Sequence, residues 1–142
     1  MKIDQRLITI SDCLYRVSLK VVVIDNSRLL LVNEAADWFG LPGGGLDYGE
    51  SIDETLAREL QEELAITPHM FQADTGQPLL VTSGAVLKGI PYFNLYYRAN
   101  LLDASNKLGA ELTHRWVTKD EFRDIKLGPT IELARPFLES LL

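Results

Sequence analysis

The chain has 142 residues, 46% of them hydrophobic and 24% charged, with a formal net charge of −6. That length makes one domain able to bury a full core, and the acidic balance excludes an extended nucleic-acid surface without excluding a nucleotide held through metal. The single cysteine, Cys13, excludes an internal disulfide and fits a reducing cytoplasm, where it is read as a small buried hydrophobe.

Residues Met1 to Ile10 lack the long apolar run of a secretory leader, and no stretch approaches the roughly 18 apolar residues of a membrane span, so no membrane association is expected. Leu14 to Ile24 is rich in β-branched residues and ends in the turn chemistry of Asp25-Asn26-Ser27, after which Arg28 to Asn33 resumes the apolar run. These two pieces read as a hairpin. Phe39-Gly40-Leu41 is a short strand leading into Pro42 and the glycines 43 to 45. A helix from about Ile52 follows, stopped before Pro68 because the residue preceding proline is pushed out of the α region. Gln72 to Pro78 reads as a polar turn, then two strands span Leu79 to Leu87 and Tyr92 to Leu101. Glu111 to Val117 is a last strand, Asp120 to Ile125 a short helix, and Thr130 starts a C-terminal helix that Pro136 should kink or interrupt. Mixed strands with helices on both sides make an α/β sandwich of one domain over 1–142. The oligomeric state is left open, with a homodimer among the options.

The informative stretch is Trp38 to Ile66, a glycine-rich loop feeding an acidic helix. Ser51 and Glu54 form a capping box, and Ile52, Leu56, Leu60 and Leu64 recur every fourth residue as an apolar stripe. Glu59, Glu62 and Glu63 gather beside that stripe. The grouping opposes helix stability: Glu59 and Glu63 repel at i, i+4, and carboxylates near a helix C-terminus cost roughly 0.3–1 kcal/mol each. Arg58 relieves part of this by pairing with Glu62. A hard divalent cation accounts for the cluster better than a solvated face does, since bound charge removes the repulsion. The glycines let backbone approach closely, so a carbonyl of Gly43 or Gly44 can join the coordination.

Gly44, Glu50, Arg58-Glu59-Leu60, Glu62-Glu63 and Ala65-Ile66, at these spacings, resemble the Nudix box. The departure is Ala65, where the family carries glycine to end the helix in a left-handed turn. The resemblance implies the Nudix α/β/α sandwich with a mixed β-sheet. It also implies Mg²⁺ (or Mn²⁺) held by Glu59, Glu62 and Glu63, and hydrolysis of a nucleoside diphosphate linked to another group. By the same resemblance Glu59 accepts a proton from the attacking water, while Glu50 and Arg58 hold loop and helix in register. RELQEELAITPHMF is similar to the MutT-type branch, which cleaves nucleoside triphosphates. A nucleotide sugar such as ADP-ribose is the second substrate reading, although Leu80 stands where the ADP-ribose mark has proline. A silent nucleotide-binding domain is the third, and the complete set of box glutamates argues against it.

For the nucleotide, strand alternation places Tyr92, Asn94, Tyr96 and Arg98 on one face, where an aromatic ring can stack on a base and Arg98 can meet phosphate. An ordinary solvent-facing strand is the plainer reading of the same four residues. Trp38 is a further stacking candidate, with packing under the loop as its plainer role; Tyr48 and His69 read as surface. Relatives place one more carboxylate near the tryptophan of the late strand, here Trp116. Glu111 is the nearest acid and is expected as an additional metal ligand in preference to His114, since a hard cation favours oxygen over imidazole.

Overall fold

The computed structural model describes residues 14–35, 37–102, 108 and 113–142. Its strands are β1 (Arg16–Val22), β2 (Ile24–Asp25), β3 (Arg28–Ala35), β4 (Trp38–Gly40), β5 (Gly43–Gly45), β6 (Phe71–Ala73), β7 (Leu80–Leu87), β8 (Ile90–Leu101) and β9 (His114–Val117). Its helices are α1 (Ile52–Leu64), α2 (Lys119–Asp124), α3 (Pro129–Glu132) and α4 (Arg135–Ser140).

A mixed five-stranded sheet runs β5-β1-β8-β6, with β7 also paired to β8. Within it β1 and β8 are parallel, with Arg16 opposite Tyr92, Ser18 opposite Asn94 and Lys20 opposite Tyr96. A second, antiparallel sheet holds β2, β3 and β4, with β9 on β3. The period of two in β3 serves two cores at once. Leu29 and Leu31 join Tyr96, Val117, Phe122, Ile131 and Leu138 under the C-terminal helices, while Leu30 and Val32 join Leu19, Val21, Tyr97 and the stripe of α1.

Helix α1 begins where its capping box dictates: the Ser51 hydroxyl accepts from the Glu54 amide at 3.2 Å and the Glu54 carboxylate accepts from the Ser51 amide at 2.8 Å. Leu56, Leu60 and Leu64 are buried, each contributing about 1.5–3 kcal/mol by leaving water. The helix ends on Ala65 in the left-handed region (φ 54°, ψ 29°), where the Ala65 amide donates to Gln61 O and the Ile66 amide to Leu60 O. The turn that glycine usually makes is thus made by alanine, at a cost of about 1–2 kcal/mol. Ile66 follows the turn into the core, only 1% exposed, and its burial offsets that strain.

Three expectations need correction. Only Ile24–Asp25 pairs with Arg28–Leu29 as a hairpin; Arg16–Val22 leaves for the other sheet, because its alternate residues must face both α1 and the C-terminal helices. Part of the segment read as a turn is a strand, Phe71–Ala73, which takes the end of β8 that β7 does not cover. The C-terminal helical segment is interrupted as expected, but at Leu133–Ala134, ahead of Pro136, which stands in the first turn of α4, where a missing amide donor is harmless. Among the described residues no helix is long and apolar enough to cross a membrane.

Candidate active site

The glycine-rich loop and α1 are joined through one guanidinium. Arg58 donates to Glu50 from Nε (2.7 Å) and Nη2 (2.9 Å), to the Gly45 carbonyl (3.1 Å), and to Glu59 from Nη1 (2.7 Å). The expected pair with Glu62 is the loosest of these contacts, at 3.7 Å. Arg58 reaches back to the loop instead, because Glu50 offers a two-point acceptor that a helical neighbour cannot. Hydrogen bonds from Arg58 and from the Thr55 hydroxyl, the latter at 2.7 Å, hold the Glu50 carboxyl down at about 2. Asp47 adds contacts to Arg58 (3.5 Å) and Arg16 (3.3 Å), so the loop is clamped from both sides.

Glycine is required at Gly43, and Gly44 lets the loop approach Glu59 closely. Gly43 has φ +126°, and a Cβ there would strike the Leu19 carbonyl; at Gly44 a Cβ would overlap the carboxyl of Glu59. The loop backbone therefore lies directly against the glutamates of α1. The Gly43 amide donates to Glu63 Oε2 at 2.9 Å. Burial pushes the Glu63 carboxyl up to about 7; Lys20 and the Gly43 amide oppose that rise, while Glu34 and Glu59 add to it. Glu62 is half exposed at the rim.

Lys20 and Glu34 are site residues that the sequence reading passed over. Lys20 is 6% exposed, and its ammonium donates to Glu34 Oε1 at 2.8 Å and to the Gly43 carbonyl at 3.2 Å. Burial pulls its pKa down, but Glu34, followed by Glu63 and Glu59, outweighs that and leaves it raised and charged. A signal was present in the sequence: one lysine amid the mostly apolar run VSLKVVV.

Among the described residues, no three His, Cys, Asp or Glu side chains converge closely enough to hold an ion as they stand. The donor set nonetheless suits a hard divalent cation: Glu59 and Glu63 flank the glycine backbone, their charge is incompletely paired, and all the candidate donors are oxygens. Arg58 occupies only Oε1 of Glu59, which leaves Oε2 as a donor for a cation, and Glu62 would have to turn inward from the rim. Glu111 lies outside the described residues. His114 is exposed on β9, opposite Val32.

The substrate-facing candidates separate. A cleft of about 230 Å³ is lined by Arg16, Ser18, Lys20, Glu34, Gly44, Gly45, Leu87, Tyr92 and Thr130. Tyr92 is in it. Tyr96 is fully buried in the core, with its hydroxyl 2.9 Å from the Thr82 hydroxyl, so it has no face for a base. Arg98 points to a separate depression shared with Gln72, Asp74 and Asn100, because strand twist and the change of partner from β7 to β6 carry it away from the glycine loop. Trp38 is half-buried beside Gly128, with the Lys126 ammonium 5.9 Å from its ring centre, and it is not among the residues lining the cleft. Asn94 is fully buried between these regions. Its amide nitrogen donates to the Thr130 carbonyl at 2.9 Å, and its Oδ1 finds no partner among the described residues. Leaving such an acceptor unpaired costs about 1–3 kcal/mol.

Comparison with known proteins adds to this geometry. The NUDIX domain model matches residues 14–141. The putative 8-oxo-dGTP diphosphatase 3 of Mycobacterium tuberculosis (strain CDC 1551 / Oshkosh) is 30% identical over 114 residues, covering 75% of this chain and 49% of the relative. The 8-oxo-dGTP diphosphatase of Escherichia coli (strain K12) is 31% identical over 61 residues, covering 39% of this chain and 47% of that protein. The chain thus spans about half the length of the curated relatives it matches. Among solved structures, the MutT protein from Methanosarcina mazei Go1 superposes with a TM-score of 0.68 at 21% identity, covering 91% of this chain and 94% of that one. That likeness is one of fold.

Proposed function

This chain belongs to the Nudix family, and on that premise we propose that it is a divalent-metal-dependent pyrophosphohydrolase, cleaving a (deoxy)nucleoside triphosphate to the monophosphate and pyrophosphate. The observation that carries the reading is the contact of the Gly43-Gly44 backbone with Glu63 and Glu59, which brings a loop able to approach phosphate and a cluster of hard oxygen donors to one place. Relatives whose printed activity is on 8-oxo-dGTP favour a triphosphate substrate.

In this reading Glu59, Glu62 and Glu63, with a carbonyl of Gly43 or Gly44, hold Mg²⁺ or Mn²⁺, which supplies neutralisation of phosphate charge and a more acidic water. Glu59, which lies against the loop, takes a proton from the attacking water in this reading, a role that the family resemblance supports. Arg58 and Glu50 set the angle between loop and helix. Lys20 adds a fixed positive charge beside the Gly43 carbonyl, in the wall of the cleft. Glu111 is proposed as an additional oxygen ligand: Glu111→Gln lowers turnover at saturating Mg²⁺ by at least about tenfold while His114→Ala changes it little, and the reverse order hands the role to His114.

The experiment is a screen of nucleoside triphosphates, nucleotide sugars and dinucleotides, with phosphate and pyrophosphate detected separately, with and without Mg²⁺. Pyrophosphate released from a triphosphate only with metal is the expected result. Cleavage confined to ADP-ribose-like compounds would replace the substrate class. Binding without turnover would make the domain a nucleotide sensor.

A further inference from the structure

We propose that the Lys20 ammonium is a tethered cation: it fills a cation position between the Gly43 carbonyl and Glu34 and takes there the place of a divalent ion; this rests on the metal reading above. Its surroundings are those of a cation held by oxygens. One N–H meets Glu34 Oε1 at 2.8 Å, a second meets the Gly43 carbonyl at 3.2 Å, and the third has no partner among the described residues. The amide of the same Gly43 donates to Glu63 at 2.9 Å, so the ammonium and a box glutamate are bonded to one glycine. The charges of Glu34, Glu63 and Glu59 all act on Lys20.

Three features build this position. Lys20 stands opposite Gly43 in the ladder between β1 and β5, with the buried Leu19 and Val21 on either side of it in the chain. Glu34 is the extra residue of a bulge: Asn33 pairs with Phe39 and Ala35 with Trp38, which leaves Glu34 without a partner in β4. Bulges re-aim a side chain in this way, often beside active sites. Gly40 makes room for the result, since a Cβ there would overlap the Glu34 carboxyl. Stability alone does not call for such a pair, because apolar residues of similar volume often serve a buried site as well or better. A carboxylate, a carbonyl and water are also what Mg²⁺ takes from a protein, as it keeps several waters and uses one or two carboxylates. The lysine differs from an ion in that it cannot leave. One positive charge beside the glycine loop is thereby independent of the supply of metal.

The test counts Mn²⁺ bound per chain, from the electron paramagnetic resonance signal of the free ion, in wild type, Lys20→Met, Glu34→Gln and the double variant, all without substrate. Lys20→Met should bind about one ion more than wild type, held by the vacated oxygens. Saturating Mg²⁺ should also raise its thermal midpoint at least about twofold further than it raises that of wild type. Adding Glu34→Gln to Lys20→Met removes the carboxylate and should return the count to the wild-type value. Glu34→Gln alone should leave the count unchanged; a lost ion there would make Glu34 a metal ligand of the native protein and overturn the proposal. A lysine that only ties β1 to β3 and β5, or acts only through its field, alters stability or affinity and leaves the count equal in all four proteins, which overturns it too. Should Lys20→Met fail to fold, Lys20→Thr, which leaves room for a hydrated ion, is read by the same count. Wild type without bound Mn²⁺ sinks the metal reading together with this inference, whereas an unchanged count in a metal-binding protein sinks this inference alone.

Discussion

The two faces of β1 differ by one residue step and by everything that matters to function. Val17, Leu19 and Val21 belong to the dry layer under α1, with Leu56, Leu60, Leu64 and Tyr97. Arg16, Ser18 and Lys20 point the other way, where Arg16 grips the loop, Lys20 grips Glu34 and Ser18 borders Asn94. Apolar burial on the first face supplies non-directional stability and tolerates shape-conserving change. On the second face, charge is placed in a partly dry site where each group depends on its partner. One strand thus fastens the acidic helix and builds the wall of its cleft.

Neighbouring substitutions sharpen that contrast. Leu19→Ala and Lys20→Met should each lower stability by roughly 3 kcal/mol in urea unfolding, for opposite reasons. The first leaves a cavity and should spare KM in whatever protein remains folded. The second leaves Glu34 without its cation, so pairing it with Glu34→Gln should recover part of the loss and still raise KM. Equal KM effects from both variants would erase the distinction between the faces.

A smaller effect concerns the clamp. The Glu50 carboxyl is lowered to about 2 from its ordinary 4.5, so the folded state favours its ionised form. Its contribution is fully present above pH 4.5 and is lost as pH falls through that interval towards 2. Glu50→Gln should flatten the fall in thermal midpoint over that window and change little at pH 7 beyond a constant offset; an unchanged acid limb would show that the clamp does not couple to folding. The smallest effect belongs to Ala65. Replacing it with glycine relieves the left-handed strain at φ 54° and should raise stability by about 0.5–1 kcal/mol, without altering turnover.

The dry side of this comparison is the one that sequence pattern displays. The every-fourth-residue stripe of α1, its capping box and the box glutamates are local features, set by periods of 3.6 and by caps within four residues. The cleft side is assembled from β1, β3, β5, β7, β8 and α3, and no spacing along the chain announces that Lys20 will meet Glu34 or that Asn94 will meet Thr130. Alternation in β8 did group Tyr92, Asn94, Tyr96 and Arg98, but it is blind to depth. The same face runs from the cleft at Tyr92, through the core at Tyr96, to solvent at Arg98. Leucine-rich β3 is uninformative for a similar reason, since a run buried on both sides hides which core each residue serves.

The central claim is that the crowded glutamates of α1 exist to hold metal for catalysis. It is tested most directly by titrating Mg²⁺ into wild type, Glu62→Gln and Glu63→Gln while following thermal midpoint and pyrophosphate release together. Metal should raise the wild-type midpoint and switch on turnover over the same concentration range, whereas both variants should stay folded, gain little stability and lose at least about 100-fold in rate. Near wild-type turnover in either variant, or a midpoint indifferent to Mg²⁺ in an active wild-type protein, would contradict it.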